Sequence, residues 1–252
     1  MKTIPITLAL TFLLAGCGGE NTPSKVQPPG AEQDAKSKTL EAGAAVMQDK
    51  TPLSKLNAYV NGFHFYSGNM QGQMEAHHYC EQVNEDLHQC VIFDGNGATA
   101  RIMGIEYIVS EKLFKSLPAE EKKLWHSHQY EVKSGELIAP GIPQVAEHEL
   151  MEKLVSTYGK TWHTWHTDDP TKTLPLGQPM LMMGFTADGQ LRGHLVDARD
   201  QRFGVSTSQK RESRKDIAAP PVHPEANGWM HGQAVQLTLQ PVAPGAPPHS
   251  AH

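Results

Sequence analysis

Two turn sequences limit the folds open to this chain more than any other feature. Asp94-Gly95-Asn96-Gly97 separates a short apolar run, Cys90 to Phe93, from an alternating one, Arg101 to Val109. Asp188-Gly189 stands in the same way between Met180 to Phe185 and Leu191 to Val196. Turn pairs of this kind tolerate the positive φ of a tight hairpin, and a period of two buries one side of each strand. Two antiparallel hairpins are therefore predicted. Tyr130 to Ile138, Trp162 to His166 and Val235 to Leu239 also read as strands. Helices are predicted over Gln71 to His88, where Ala76, Cys80, Val83 and Leu87 share a face, and over Glu147 to Tyr158, with Gly159 as the stop. Ser110 can cap a short helix from Glu111, and Pro118 opens another. Hairpins with helices between them define an α+β class: a mainly antiparallel sheet with inserted helices in a single globular domain.

The N-terminus reads as an address. Lys2 precedes the apolar run Ile4 to Ala15, which is too short to cross a bilayer needing about 20 residues. The run ends in Leu14-Ala15-Gly16-Cys17, the pattern of a bacterial lipobox. The expected organisation is a lipoprotein signal peptide over 1–16 and a flexible tether over 17–52. A globular domain over 53–240 and a disordered tail over 241–252 follow. Cys17 is the expected lipid attachment site, which makes membrane lipid the first expected partner. Gly18 in place of Asp favours the outer membrane, with the body facing the periplasm.

A net charge of −5 argues against a nucleic-acid partner, which calls for a basic stripe. Three cysteines exclude a four-cysteine zinc module, and no nucleotide-binding loop or Gly-x-Ser-x-Gly elbow appears. Fourteen histidines are the anomaly. On an extended chain His126 and His128 project together, as paired ligands for a divalent transition metal such as Zn or Fe, with Glu131 just beyond. Support could come from His64, His77, His78, Glu106 and His163. On the predicted helix His77 and Cys80 share a side, while His77 and His78 diverge. Glu106 lies among Ile102, Gly104 and Ile108, so its carboxylate must be paired or have a raised pKa. Cys80 and Cys90 can form a disulfide in an oxidising compartment if their Cα atoms come within about 7 Å; otherwise they pack as small hydrophobes.

Several segments carry a family resemblance: Phe63-His64-Phe65-Tyr66-Ser67-Gly68, His77-His78-Tyr79-Cys80, Gln89-Cys90-Val91-Ile92 and Gly104-Ile105-Glu106-Tyr107-Ile108. Leu124-Trp125-His126-Ser127-His128, Tyr130 to Gly135, Tyr158-Gly159-Lys160-Thr161 and Leu174 to Gly177 continue the series. Over about Asn57 to Val196 the chain resembles the oil body-associated protein family, DUF1264. The resemblance implies a role at a lipid surface in a family without an established enzymatic activity; the alternative is a metal-binding protein or metal-dependent enzyme centred on His126 and His128. The resemblance also implies that the Cys80–Cys90 pairing is not obligatory, because cytosolic relatives share both positions. It also favours His163 over His166.

Overall fold

The computed structural model describes residues 21–241. The predicted signal peptide, Cys17 and the tail from 242 lie outside the described residues. Seven strands form: β1 (Ala58–Tyr66), β2 (Asn69–Asn84), β3 (Leu87–Phe93), β4 (Ile102–Ser110), β5 (His126–Ser127), β6 (Thr157–His163) and β7 (Met180–Met183). Helices α1 (Ala35–Met47) and α2 (Thr51–Ser54) precede them, and α3 (Glu111–Ser116) and α4 (Ala119–Lys122) follow β4. Helix α5 (Gln129–Ser134) and α6 (Gln144–Leu154) lie between β5 and β6, with α7 (Gly193–Phe203) and α8 (Thr207–Ser213) after β7. The pairings are antiparallel, in the order β4-β3-β2-β1-β7-β6, and β4 also pairs with β6. That last pairing closes six strands into a barrel, and β5 adds to β6 beside it. Closure removes the exposed edges that an open sheet would present.

The α+β reading holds at the level of class, and the barrel is the specific form it takes. The hairpin across Asp94 to Gly97 is β3–β4, and Ser110 caps α3 as predicted. Other elements differ. Gln71 to Asn84 is strand rather than helix, and Leu87-His88 already belong to β3: Met74, Ala76, His78 and Cys80 alternate inward along β2. The stretch carries both periods, and pairing on two sides decides for the strand. Tyr130 to Ile138 begins instead as α5, stopped by Gly135 at φ 83°. Leu191 to Val196 leads into α7, so Asp188-Gly189 turns without making a hairpin. Val235 to Leu239 forms no strand; instead the Gln236 side chain bonds Leu181 N, Leu181 O and Ser67 O. The segment expected to be a loose tether is fastened to the domain near its start, where Thr22 and Val26 are buried.

Two apolar clusters fill the barrel. Val60, Cys80, Cys90 and Ile108 pack under Leu137, Met151 and Leu154, while Tyr66, Met74, Ala76, Ile92 and Met182 form the other group. Cys80 and Cys90 face each other across β2 and β3 as a disulfide, with Cα atoms 4.1 Å apart. Between the clusters the inward positions turn polar. On β2 it is His78 that separates Ala76 from Cys80, and on β1 it is His64 that precedes Tyr66. Among the described residues no helix is long and apolar enough to cross a membrane.

Candidate functional site

The polar belt converges on one carboxylate. Glu106 points inward from β4 and is 2% exposed. Its Oε1 stands 3.2 Å from His128 Nε2 and 3.4 Å from His126 Nε2, and its Oε2 stands 2.9 Å from His78 Nε2. Ligands held at 2.0–2.1 Å around a tetrahedral ion lie roughly 3.3 Å apart, so the first two spacings already have the right scale. No lysine or arginine pairs with Glu106 among the described residues.

Thr157 fixes the proton on one of these imidazoles. Its hydroxyl donates to Leu154 O at 2.7 Å and therefore accepts from His128 Nδ1, 2.8 Å away. Neutral His128 then carries its lone pair on Nε2, facing the lone pairs of Glu106. Two acceptors 3.2 Å apart in a dry interior require a cation between them, either a proton or a metal ion. This Thr–His contact is the kind of outer hydrogen bond that orients metal-binding histidines. Nδ1 of His126 and Nδ1 of His78 have no partner, and their Nε2 atoms face Glu106 without hydrogen-bond geometry, although both rings are buried. Unpaired buried nitrogens of this kind are expensive.

Two glycines make the room. A Cβ built on Gly159 would lie 2.0 Å from Glu106 Oε1, 2.7 Å from His128 Nε2 and 2.9 Å from His126 Nε2. The three donors thus converge on the space over a residue with no side chain. Gly184 does the same for Glu131, whose Oε1 would lie 2.7 Å from a Cβ there. Beside the donors is a cavity of about 20 Å³, walled by Val60, Ile108, Leu137 and Leu154. That is space for one water-sized sphere.

The electrostatics follow burial. Burial pushes the Glu106 carboxyl up, but the imidazoles of His126, His128 and His78 outweigh it and hold Glu106 well below the usual range. Glu106 is therefore the paired carboxylate of the two cases open in the sequence. Burial lowers His64 well below an ordinary imidazole, and lowers His126 against the pull of Glu106. Burial raises Glu131 well above a normal carboxyl, with Glu106 and Glu136 adding to it.

His78, Glu106, His126 and His128 are thus brought together, and His64 and Glu131 join them. Donor atoms of His64, Glu106 and His126 lie within 4.8 Å of one another, as do those of His126, His128 and Glu131. His126 lies on β5 while His128 sits at the bend just before α5, so the pair converges through that bend rather than along one strand. His163 reaches the belt indirectly, through a 3.2 Å contact between its Nε2 and His64 Nδ1. His77 does not join it. On a strand adjacent residues face opposite sides, and His77 instead meets Tyr59 Oη at 2.8 Å and Glu75. The predicted His77–Cys80 pairing fails for the same reason, and Cys80 is committed to its disulfide. Gly159, Gly184 and Thr157 escaped the sequence reading. The available signal was a glycine inside an alternating strand, which marks a close approach.

The comparisons with known proteins agree with one another. The family described as "Protein of unknown function (DUF1264)" matches residues 50–218. "Oil body-associated protein 1A" of Zea mays is 45% identical over 214 residues, spanning 84% of this chain and 90% of the relative. "Oil body-associated protein 1B" of Arabidopsis thaliana is 42% identical over 226 residues, 89% and 93% of the two chains. "Oil body-associated protein 2C" of Arabidopsis thaliana is 37% identical over 219 residues, 85% and 92%. No solved structure matches the chain.

Proposed function

This chain belongs to the DUF1264 family of oil body-associated proteins, and within it we propose that the barrel binds one divalent transition-metal ion between Glu106, His126 and His128. One observation carries the proposal: Thr157 turns the His128 Nε2 lone pair onto Glu106 in a place where only a cation relieves the contact. Imidazole and carboxylate donors suit Zn(II) or Fe(II). His78 and His64 supply further nitrogen donors, and the closed surroundings exclude bulky ligands. Binding, rather than turnover, is the function this geometry supports.

The test is elemental. Full-length protein purified without chelators, loaded with Zn(II) or Fe(II) and desalted, should hold one ion per chain. A His126→Ala/His128→Ala variant should hold none. An unmodified protein that retains no metal would leave a shared proton as the cation and retire the proposal.

A second reading has its own support. Leu14-Ala15-Gly16-Cys17 is the pattern of a lipid-attachment site, and the relatives carry the name of a lipid body in which this chain's lipobox has no evident part. We propose that Cys17 bears the lipid and holds the protein at the periplasmic side of a bacterial outer membrane. Cys17→Ala should move the protein from the membrane fraction to the soluble one. Retention of the variant in membranes would overturn this reading.

A further inference from the structure

The first described residues are locked onto the barrel. Thr22 N donates to Asn96 Oδ1 at 2.6 Å, and Thr22 O accepts from Asn96 N at 3.0 Å and Gly97 N at 2.9 Å. Arg202 Nε donates to Thr22 Oγ1 at 3.1 Å, and Ser24 Oγ donates to Asp94 Oδ2 at 2.6 Å. The fit depends on a bare glycine, because a Cβ on Gly95 would lie 2.1 Å from Thr22 O. The loop that makes the hairpin turn is therefore also the receptor for the chain's own N-terminal segment.

An apolar groove adjoins this clasp. Leu53, Leu56, Tyr79, Phe93, Ala98 and Ala100 line it together with the same Gly95–Gly97 loop, and Leu53 is 65% exposed. Helix α1 lies in the segment between the clasp and α2 and buries none of its residues. Its Leu40, Ala44 and Met47 recur along one side, with Leu40 64% and Met47 81% exposed. Both ends of that segment thus return to the groove.

We infer that the clasp orients the domain on a lipid bilayer, with the groove, α2 and the Asp94–Ala100 loop turned to the membrane. The inference rests on the second reading, in which Cys17 is lipid-bearing. Four residues lie between Cys17 and Thr22, and the five extended steps from one to the other reach at most about 18 Å. Without the clasp, the segment from Cys17 to Thr51 would let the domain drift and turn freely. With it, the lipid-bearing sulfur stays close to one apolar face, and that face meets the bilayer first. The occupant is phospholipid, because the segment fastened at the groove's rim is the one that leads to the proposed anchor at Cys17.

The test reads orientation rather than attachment. Full-length protein is reconstituted into phosphatidylethanolamine/phosphatidylglycerol vesicles containing a spin-labelled quencher lipid. A fluorophore is placed on Ala98→Cys or on Lys112→Cys in α3. With Cys80 and Cys90 joined and Cys17 lipidated, the introduced cysteine is the free thiol. The two positions lie at opposite ends of β4, which spans nine residues and so roughly 30 Å. The probe at 98 should lose most of its fluorescence and the probe at 112 little. Gly95→Val, and the gentler Ser24→Ala/Asn96→Ala pair, should bring the two probes together while the protein stays on the vesicles. Equal quenching in the undisturbed protein would overturn the inference. Shielding of position 98 in native membranes but not in pure vesicles would overturn the lipid assignment in favour of a protein partner. A Cys17→Ala protein that stays bound would instead sink the anchor reading.

Discussion

Gly159→Ala should abolish metal binding and destabilise the barrel by at least about 3 kcal/mol, above the usual range for one added methyl group. The usual remedy for overpacking, a neighbour that swings aside, is blocked here. The new methyl would lie 2.0 Å from Glu106 Oε1 and within 2.9 Å of two imidazole nitrogens, all inside a closed interior. Whatever moves must carry a proposed ligand away from its partners. Urea unfolding of the metal-free protein checks the packing, and zinc titration checks the site. Gly193→Ala makes the control, because nothing lies within 4 Å of its Cβ and its φ is unremarkable. It should leave both measurements unchanged. A Gly159→Ala protein that binds zinc with normal affinity would show that the donors do not converge over that residue.

Acid should destabilise the metal-free protein from about pH 6.5 downward, so that the loss begins above the range in which ordinary carboxylates titrate. Burial lowers His163 to about 3 and His77 to about 4, whereas an imidazole in the unfolded chain titrates near 6.5. Below pH 6.5 the unfolded state therefore binds protons that the folded state excludes. The contribution of the two rings is full above that value and falls as pH drops towards the folded values, while Glu131 and Glu136, raised by burial, regain stability on protonation and offset part of the loss. Each ring removes about 1.4 kcal/mol per pH unit, so near pH 4.5 the pair removes roughly 5 kcal/mol. Glu106 acts in the same direction, because a carboxylate held below its ordinary value loses its contribution as pH falls through the folded pKa. Urea midpoints measured from pH 8 to 4 should fall throughout the acidic half, and His77→Gln/His163→Gln should flatten the curve. A profile that His77→Gln/His163→Gln leaves unchanged would mean that these rings are solvated.

The chemistry of the site was more legible than its shape. His126 and His128 stand out by their His-x-His spacing and Glu106 by its place among apolar residues, whereas His78 reads only as one of several supporting histidines. The grouping of His77 with Cys80 failed because it depended on a helix. Ala76, Cys80, Val83 and Leu87 fit a period near 3.6, while Met74, Ala76, His78 and Cys80 fit a period of two, and local sequence does not choose between them. The choice came from β1 and β3, which pair with β2 on both sides. Gly159 shows the opposite difficulty. As the residue after a helix it was a credible stop, and only the pairing of β6 with β4 and β5 reveals it as the open floor of the belt.

By itself the sequence determined the class of the fold, the β3–β4 hairpin and the family. These depend on local alternation, turn chemistry and residue identity, which a linear chain carries in full. The tertiary structure alone decided that the sheet closes, that six polar side chains meet in its dry interior, and that Thr22 returns to the Asp94–Gly97 loop. Each of these joins residues tens of positions apart, and no short-range period encodes which distant strand will supply the partner.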